Sequence, residues 1–349
     1  MAIKFTSGSL YFLKERDFIT NQESPYVKIG LVRGDKETQK RILEHKTGNP
    51  REIYDYCTLE APLVENLETQ LHYRFCDAWI SGEWFVMDQA KLNECIEVAN
   101  TIITEQTEIQ SKLTLSYELA SQISNGEIKA ASKEDQAIWE SLCAKKLQID
   151  VAKAKVLIIE NKLRQIMSTN AGITGVVDFI VKSGSNSFDK KSFKDEHPDL
   201  FQSYCSEEEK GVGGSFLLKG NPKLKDVYPE LYQELQDSKF NKPERAEIVD
   251  ASIESTDEIK MIHQEYILLQ PDLHKYNWEY NMLEAQLKVR VGSHDWISDL
   301  CQWTRKTKIS ETFNAKKFQI DHPELHAKFI VAGSESYALS VRPFREYKF

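Results

Sequence analysis

The chain has 349 residues, of which 41% are hydrophobic and 28% charged, and its formal net charge is -9. This length allows two or three domains, and the composition is that of an ordinary globular protein. The negative charge argues against nonspecific coating of nucleic acid by the whole surface, but it does not exclude a local basic site.

Two further classes of protein are disfavoured. No apolar run is long enough to span a bilayer and no signal peptide follows Met1, so we expect a cytoplasmic protein that does not enter membranes. The six cysteines are scattered without a C-x-x-C pair, and the eight histidines show no metal-binding spacing. The sequence therefore predicts neither a disulfide framework nor a structural zinc site.

The first 88 residues carry the pattern of a small α+β domain. Segments rich in aromatic and β-branched residues predict strands, and turn formers separate them. Asp35 is a candidate N-cap for the first helix, and Gly48-Asn49-Pro50 is a candidate stop. The predicted elements are strands at 9–14, 25–31 and 53–59 and helices at 35–46 and 62–75, which together make a three-stranded antiparallel domain over residues 1–88.

Two long helices are predicted next. Residues 88–123 contain neither glycine nor proline, and their apolar positions recur at the three-and-four spacing of an amphipathic helix. A second helix begins at Ser132, which forms a capping box with Asp135, and runs to about Met167. The short break between them predicts a helical hairpin or coiled coil over residues 89–167, which leaves a homo-oligomer through this segment open.

The rest of the chain contains an internal repeat. A segment with Phe188, Phe193 and His197-Pro198 recurs 125 residues later as Phe313, Phe318 and His322-Pro323. This predicts two copies of a small α+β module at 168–239 and 259–349, joined by an acidic linker at 240–258. We expect the two histidines to be structural. In the second copy, Trp303, Arg305 and Lys306 mix aromatic and basic character, which favours contact with nucleic acid.

The candidate site residues lie in the first domain. Tyr11 is in the first strand, and the second strand contains Tyr26 and ends in Lys28-Ile29-Gly30. Arg41 and His45 are four apart and therefore share one face of the first helix, and Glu68 is in the second helix. This ordered set resembles the GIY-YIG endonuclease superfamily, in its phage-associated branch with a Tyr-Val-Lys-Ile-Gly motif, over about residues 9–87.

The resemblance implies hydrolysis of nucleic-acid phosphodiester bonds with one divalent metal ion, Mg²⁺ or Mn²⁺. Glu68 would hold the metal, because Mg²⁺ keeps several waters and needs few protein ligands. Arg41 would clamp the phosphate, Tyr11 would orient or deprotonate the attacking water, and His45 could relay a proton.

One departure leaves the general base open. Lys28 stands where the superfamily signature has its second tyrosine, and Tyr26 lies two residues earlier on the same strand face. The base is therefore Tyr11, Tyr26 or Lys28, and Glu83 is an alternative metal ligand to Glu68.

Substrate contacts are predicted around this site and in the second repeat. The stretch Lys28–Arg51 has seven basic and three acidic residues, a net charge of +4. Such a local excess favours a polyanion. The predicted contacts are Gly30, Arg33, Lys46, Asn49, Arg305 and Lys306.

Three functions fit these observations. The first is a metal-dependent DNA endonuclease whose C-terminal modules dock on DNA or a partner protein, in a phage or in defence against phage. The second is a catalytically inactive adaptor that keeps the GIY-YIG shape, and the third is an assembly protein built on the long helices. The repeated modules are also similar to a short segment at the ends of some phage recombination exonucleases, which transfers no catalytic residue.

Overall fold

The computed structural model describes residues 4–34, 38–46, 50–240, 243, 247–333 and 335–343. Within them the protein is a mixed α+β structure that begins with an antiparallel sheet and continues with long helices and small sheets. The predicted helix cap at Asp35 and the predicted helix stop at Gly48 lie outside the described residues.

The N-terminal sheet has five strands, where the sequence predicts three. The predicted strands and helices are present, and two three-residue strands extend the sheet at one edge, around a turn with Gly82 at φ +53°. Strands this short carry no alternation that a sequence pattern could reveal. The elements are β1 (Gly8–Arg16), β2 (Glu23–Arg33), α1 (Thr38–Lys46), β3 (Glu52–Ala61), α2 (Val64–Arg74), β4 (Trp79–Ser81) and β5 (Trp84–Val86), in the sheet order β3-β1-β2-β5-β4.

The two faces of this sheet differ in what covers them. Leu10, Phe12 and Ile29 point to the face that packs on α2, and each is fully buried. Tyr11 and its neighbour Leu13 point to the opposite face, because side chains alternate along a strand. Burial of each large apolar side chain stabilises the sheet by roughly 1.5–3 kcal/mol. The alternation therefore separates the core face from the face that carries Tyr11.

The remaining elements make up most of the chain. They begin with a helix whose N-cap is Asp88 and end with an antiparallel strand. In chain order they are α3 (Gln89–Ala120), β6 (Ile128–Lys129), α4 (Lys133–Met167), β7 (Asn170–Ile173), β8 (Val177–Lys182), β9 (Ser187–Phe188), α5 (Lys190–Glu196), α6 (Pro198–Ser203), β10 (Cys205–Gly213), β11 (Leu217–Leu218), α7 (Leu224–Val227), α8 (Pro229–Asp237), β12 (Val249–Ile253), α9 (Asp257–Val291), β13 (Trp296–Ile297), β14 (Cys301–Gln302), β15 (Lys306–Phe313), α10 (Ala315–Asp321), α11 (Pro323–Lys328), β16 (Ile330–Val331) and β17 (Ser336–Val341).

The long helices are present, but the main partner of α4 is not the one predicted. The capping box of Ser132 and Asp135 begins α4 as expected. However, α4 packs along α9, and α3 and α2 also pack on α9. The predicted hairpin of α3 with α4 is thus corrected, because an apolar face in the sequence shows that a helix has a partner without identifying it. None of the helices in the described ranges is long and apolar enough to cross a membrane.

The repeat is longer than predicted and its two copies are interleaved. The N-caps of α4 and α9, Ser132 and Thr256, are 124 residues apart, and each helix is preceded by a short strand and followed by a strand pair. The sheets β12-β7-β8-β17 and β6-β13-β14-β11 have the same order. In both, a strand of one copy pairs with a strand of the other, as β8 does with β17. The predicted linker also contributes β12 to one sheet.

A phenylalanine cluster joins the two copies at their repeated motifs. Phe193 and Phe318 are equivalent positions, both fully buried, and their ring centroids are 4.5 Å apart. His197 and His322 precede Pro198 and Pro323 at the starts of α6 and α11, which agrees with the structural role expected of these histidines. The ribbons β10·β15 and β9·β16 connect this cluster to the two sheets.

Candidate functional site

Tyr11 and His45 form the centre of the candidate site. Tyr11 is only 1% exposed, and its hydroxyl lies 3.2 Å from Nε2 of His45, which reaches over from α1. Gly30 is opposite Tyr11 in the β1–β2 register. A Cβ at position 30 would lie 2.5–2.7 Å from the Tyr11 hydroxyl and ring, so only glycine admits this ring position. The structure thus explains why Tyr11 and Gly30 belong to one motif.

The protonation of this pair follows from its surroundings. Burial raises the pKa of Tyr11 far above its usual value and Glu83 raises it further, while Arg41 opposes them. Burial also lowers the pKa of His45, and the positive charges of Lys28 and Arg41 lower it further. At neutral pH the phenol keeps its proton and the imidazole is neutral. The tyrosine donates to Nε2 in the tautomer of His45 that carries its proton on Nδ1, and the histidine is the better proton acceptor of the two.

We expect the imidazole of His45 to titrate below the ordinary pKa of 6.5 in a histidine-observed NMR titration. In Lys28→Met its pKa should rise, because the repulsion of the imidazolium by Lys28 is lost and the Glu83 carboxylate remains. Lys91→Met, which removes another ion-paired lysine, is the control. A spectrum of His45→Gln assigns the signal. A pKa for His45 above 6.5, or a fall in Lys28→Met, would contradict this account.

Glu68 is a buried carboxylate without a hydrogen-bond donor to stabilise its charge. The residue is only 5% exposed, and within the described part of the chain its carboxylate accepts no hydrogen bond. Burial, and then the charge of Glu83, raise its pKa to about 8, although Arg33 and Lys28 act in the other direction. A buried carboxylate without donors is stabilised either by a proton or by a cation.

This property fits the divalent metal implied by the resemblance. Among the described residues no group of three or more His, Cys, Asp or Glu side chains could hold a metal ion, so Glu68 would have at most one such side chain as a second ligand. Mg²⁺ accepts such a site, because water and substrate phosphate can complete its octahedral shell.

Lys28 and Glu83 form an ion pair beside these residues. Lys28 is 7% exposed, its Nζ contacts the Glu83 carboxylate, and it lies 5.8 Å from the centre of the Trp84 ring. Glu83 acts electrostatically on Tyr11 and on Glu68. From the sequence, Glu83 is predicted only as an alternative metal ligand. The structure shows why it lies at the site: β5 pairs with β2, and this pairing places residue 83 next to the Lys-Ile-Gly motif.

Arg41 lies at the exposed side of the site. Half of its side chain is exposed, and Nη1 donates a hydrogen bond to Glu44 at 2.6 Å. Arg41 is also close enough to Tyr11 to favour the ionised phenol. Arg41 therefore lies near Tyr11, while its role stays a prediction.

His72 is a further buried side chain that the sequence does not single out. Its Nε2 lies 2.9 Å from the carbonyl oxygen of Ile29, and burial lowers its pKa to about 4. A neutral imidazole can donate to that carbonyl and so hold α2 against the end of β2. We assign it a structural role, because it links the element that carries Glu68 to the element that carries Gly30.

Tyr26 does not join the site. It is 42% exposed and lies four residues before Gly30, about 13 Å along β2 at 3.3 Å per residue. The alternation of the strand places it on the face of Lys28, but the length of the strand separates it from Tyr11. Of the three candidate bases, Tyr26 is disfavoured by position, and Lys28 is engaged by Glu83.

The predicted substrate contacts have mixed outcomes. Arg33 is exposed and pairs with Glu65, and Lys306 is exposed on β15. Asn49 and the side chain of Lys46 lie outside the described residues. Arg305 corrects the prediction: it is fully buried, stacks on Trp303 at 4.1 Å, and donates from Nη2 to the carbonyl of Gly292 at 2.6 Å. It is a structural residue, because its buried guanidinium cannot reach a ligand at the surface.

Comparison with known proteins adds one match. Neither the curated proteins nor the solved structures returned a match. Residues 8–100, about a quarter of the chain, match the T5orf172 domain family, a phage-associated domain that resembles a GIY-YIG or homing-endonuclease-like fold.

Proposed function

We propose that the N-terminal domain is a metal-dependent endonuclease that hydrolyses phosphodiester bonds of DNA, in a phage or anti-phage setting. The observation that carries this proposal is the buried Glu68 carboxylate, which accepts no hydrogen bond among the described residues and acts electrostatically on Tyr11, the partner of His45. The match to a phage-associated, nuclease-like domain supports it.

Glu68 would hold Mg²⁺ or Mn²⁺, and the ion would supply positive charge to the phosphoryl oxygens and to the departing 3′ oxygen. Arg41 is exposed enough to bind the same phosphate in bidentate fashion. Water adds to phosphorus as the P–O3′ bond breaks. The neutral His45, acting directly or through the Tyr11 hydroxyl, takes the proton that water loses.

The C-terminal copies would bring the domain to DNA or to a partner protein. Two features support this assignment. Lys306 and most other residues of β10 and β15 are exposed, and the phenylalanine cluster at the end of that ribbon gives it a fixed base.

A plasmid-nicking assay with Mg²⁺, Mn²⁺ or EDTA tests the proposal. We expect the wild type to relax supercoiled DNA only with metal, and Glu68→Gln to lose on the order of 10³-fold in rate, because several kcal/mol of charge stabilisation depend on the metal. Glu94→Gln, an exposed glutamate on α3, is the matched control.

Cleavage by Glu68→Gln at the wild-type rate would show that the assignment of this residue is wrong. DNA binding without cleavage of duplex, nicked, branched or single-stranded DNA would instead identify a catalytically inactive adaptor.

A further inference from the structure

Among the described residues, three cations at the site already carry a carboxylate partner from this chain. Arg41 Nη1 lies 2.6 Å from Glu44 on the same helix. The cations and their partners are Lys28 with Glu83, Arg33 with Glu65, and Arg41 with Glu44. The positive charge of these three residues is therefore already paired before a substrate binds.

The three pairs surround one centre but differ in exposure. Lys28 and Arg33 both act on Glu68, and Arg41 acts on Tyr11. The side chains of Lys28 and Glu83 are 9% and 24% exposed, whereas those of Arg41 and Glu44 are 50% and 55% exposed. Arg33 is 52% exposed. Only the arginine pairs can therefore exchange readily between a carboxylate and an incoming phosphate.

Because a phosphate must displace a carboxylate from the arginine, the site binds a single phosphodiester more weakly than a free arginine would. The guanidinium binds carboxylate and phosphate with the same planar geometry, so both anions compete for the same donors. The glutamate has the advantage of an intramolecular group, whose effective concentration is in the millimolar range for a short connection. A substrate gains most if it presents several phosphates at once or is held elsewhere on the protein.

We propose that Glu44 and Glu65 act as intramolecular competitors of substrate phosphate and set the selectivity of the site against weakly held nucleic acid. This inference rests on the proposed function for the identity of the ligand. Glu44 accepts a hydrogen bond from Nη1 of Arg41, and Glu65 accepts one from Nε of Arg33. The site then favours DNA that is already anchored by another part of the chain.

The test measures binding, so it does not depend on turnover. Full-length protein with Glu68→Gln is titrated into fluorescein-labelled duplex DNA in EDTA, and anisotropy gives Kd at several salt concentrations. Adding Glu44→Gln should lower Kd about 1.4- to fivefold, since an exposed ion pair contributes about 0.2–1 kcal/mol. The salt slope should steepen by about one phosphate contact. Asp77→Asn, which removes the carboxylate of a remote ion pair with Lys91, should change neither.

A second set of variants, made in Arg41→Ala, distinguishes competition for the Arg41 guanidinium from general repulsion of DNA by the Glu44 charge. In Arg41→Ala, the gain from Glu44→Gln should disappear, because no guanidinium is left to release. An equal gain in that background, no gain at all, or no DNA binding by any variant would overturn the inference. Glu65→Gln is tested against Arg33→Ala in the same way. Tighter binding with no nicking by the wild type would sustain the inference and refute the proposed function.

Discussion

At pH 9 without metal, Glu68→Gln is expected to be more stable than the wild type by a few kcal/mol. The folded-state pKa of Glu68 is about 8, against an ordinary value of 4.5, mainly because of burial. Well below pH 4.5 the carboxyl is neutral in both states, so its ionisation does not affect the free energy of unfolding. Between pH 4.5 and 8 the unfolded chain ionises first, and wild-type stability falls by about 1.4 kcal/mol per pH unit. The amide stays neutral and avoids this loss.

Urea unfolding at pH 4.5, 7 and 9 measures the difference, which should grow with pH. Added Mg²⁺ at pH 9 should stabilise the wild type and leave Glu68→Gln unchanged, because a bound cation replaces the proton. Glu94→Gln should show no comparable trend. A difference between Glu68→Gln and the wild type that stays constant from pH 4.5 to 9 would mean that Glu68 is not the uncompensated carboxylate described above.

Gly30→Ala is expected to destroy the site even though the change is one methyl group. The new Cβ would lie 2.5 Å from the Tyr11 hydroxyl oxygen, closer than real Cβ contacts. Either β2 shifts or the phenol leaves His45. Unfolding measurements should show a loss of about 1–3 kcal/mol from overpacking. Cleavage should fall by about 100-fold or more, because a displacement near 1 Å in such a site has effects of that size.

Gly175→Ala provides the comparison, since its φ is +76° but nothing lies within 4 Å of the added Cβ. It should lose stability through backbone strain and keep its activity. In Tyr11→Ala the penalty for Gly30→Ala should be much smaller, because the ring is absent. Equal penalties in the two backgrounds would show that the contact with Tyr11 is not the cause.

Local signals in the sequence were sufficient for several features. The aromatic and β-branched residues around Tyr11 and Tyr26 predict β1 and β2, and the four-residue spacing of Arg41 and His45 places both on one face of α1. The capping box at Ser132 begins α4 because a side chain three residues away satisfies it. The repeat was visible from its phenylalanine, histidine and proline positions, which recur at a constant offset.

Only the tertiary structure decided the features that depend on partners distant in sequence. Glu83 meets Lys28 across 55 residues because β5 pairs with β2, and Arg305 is buried because it packs on Trp303 beside the end of α9. The choice of α9 as the partner of α4, and the exchange of strands between the copies, follow from the packing of many faces at once. An amino-acid sequence by itself determines which faces are apolar and where charges occur along the chain. The association of those faces, and the burial that sets the pKa of Glu68 and His45, exist only once the chain is folded.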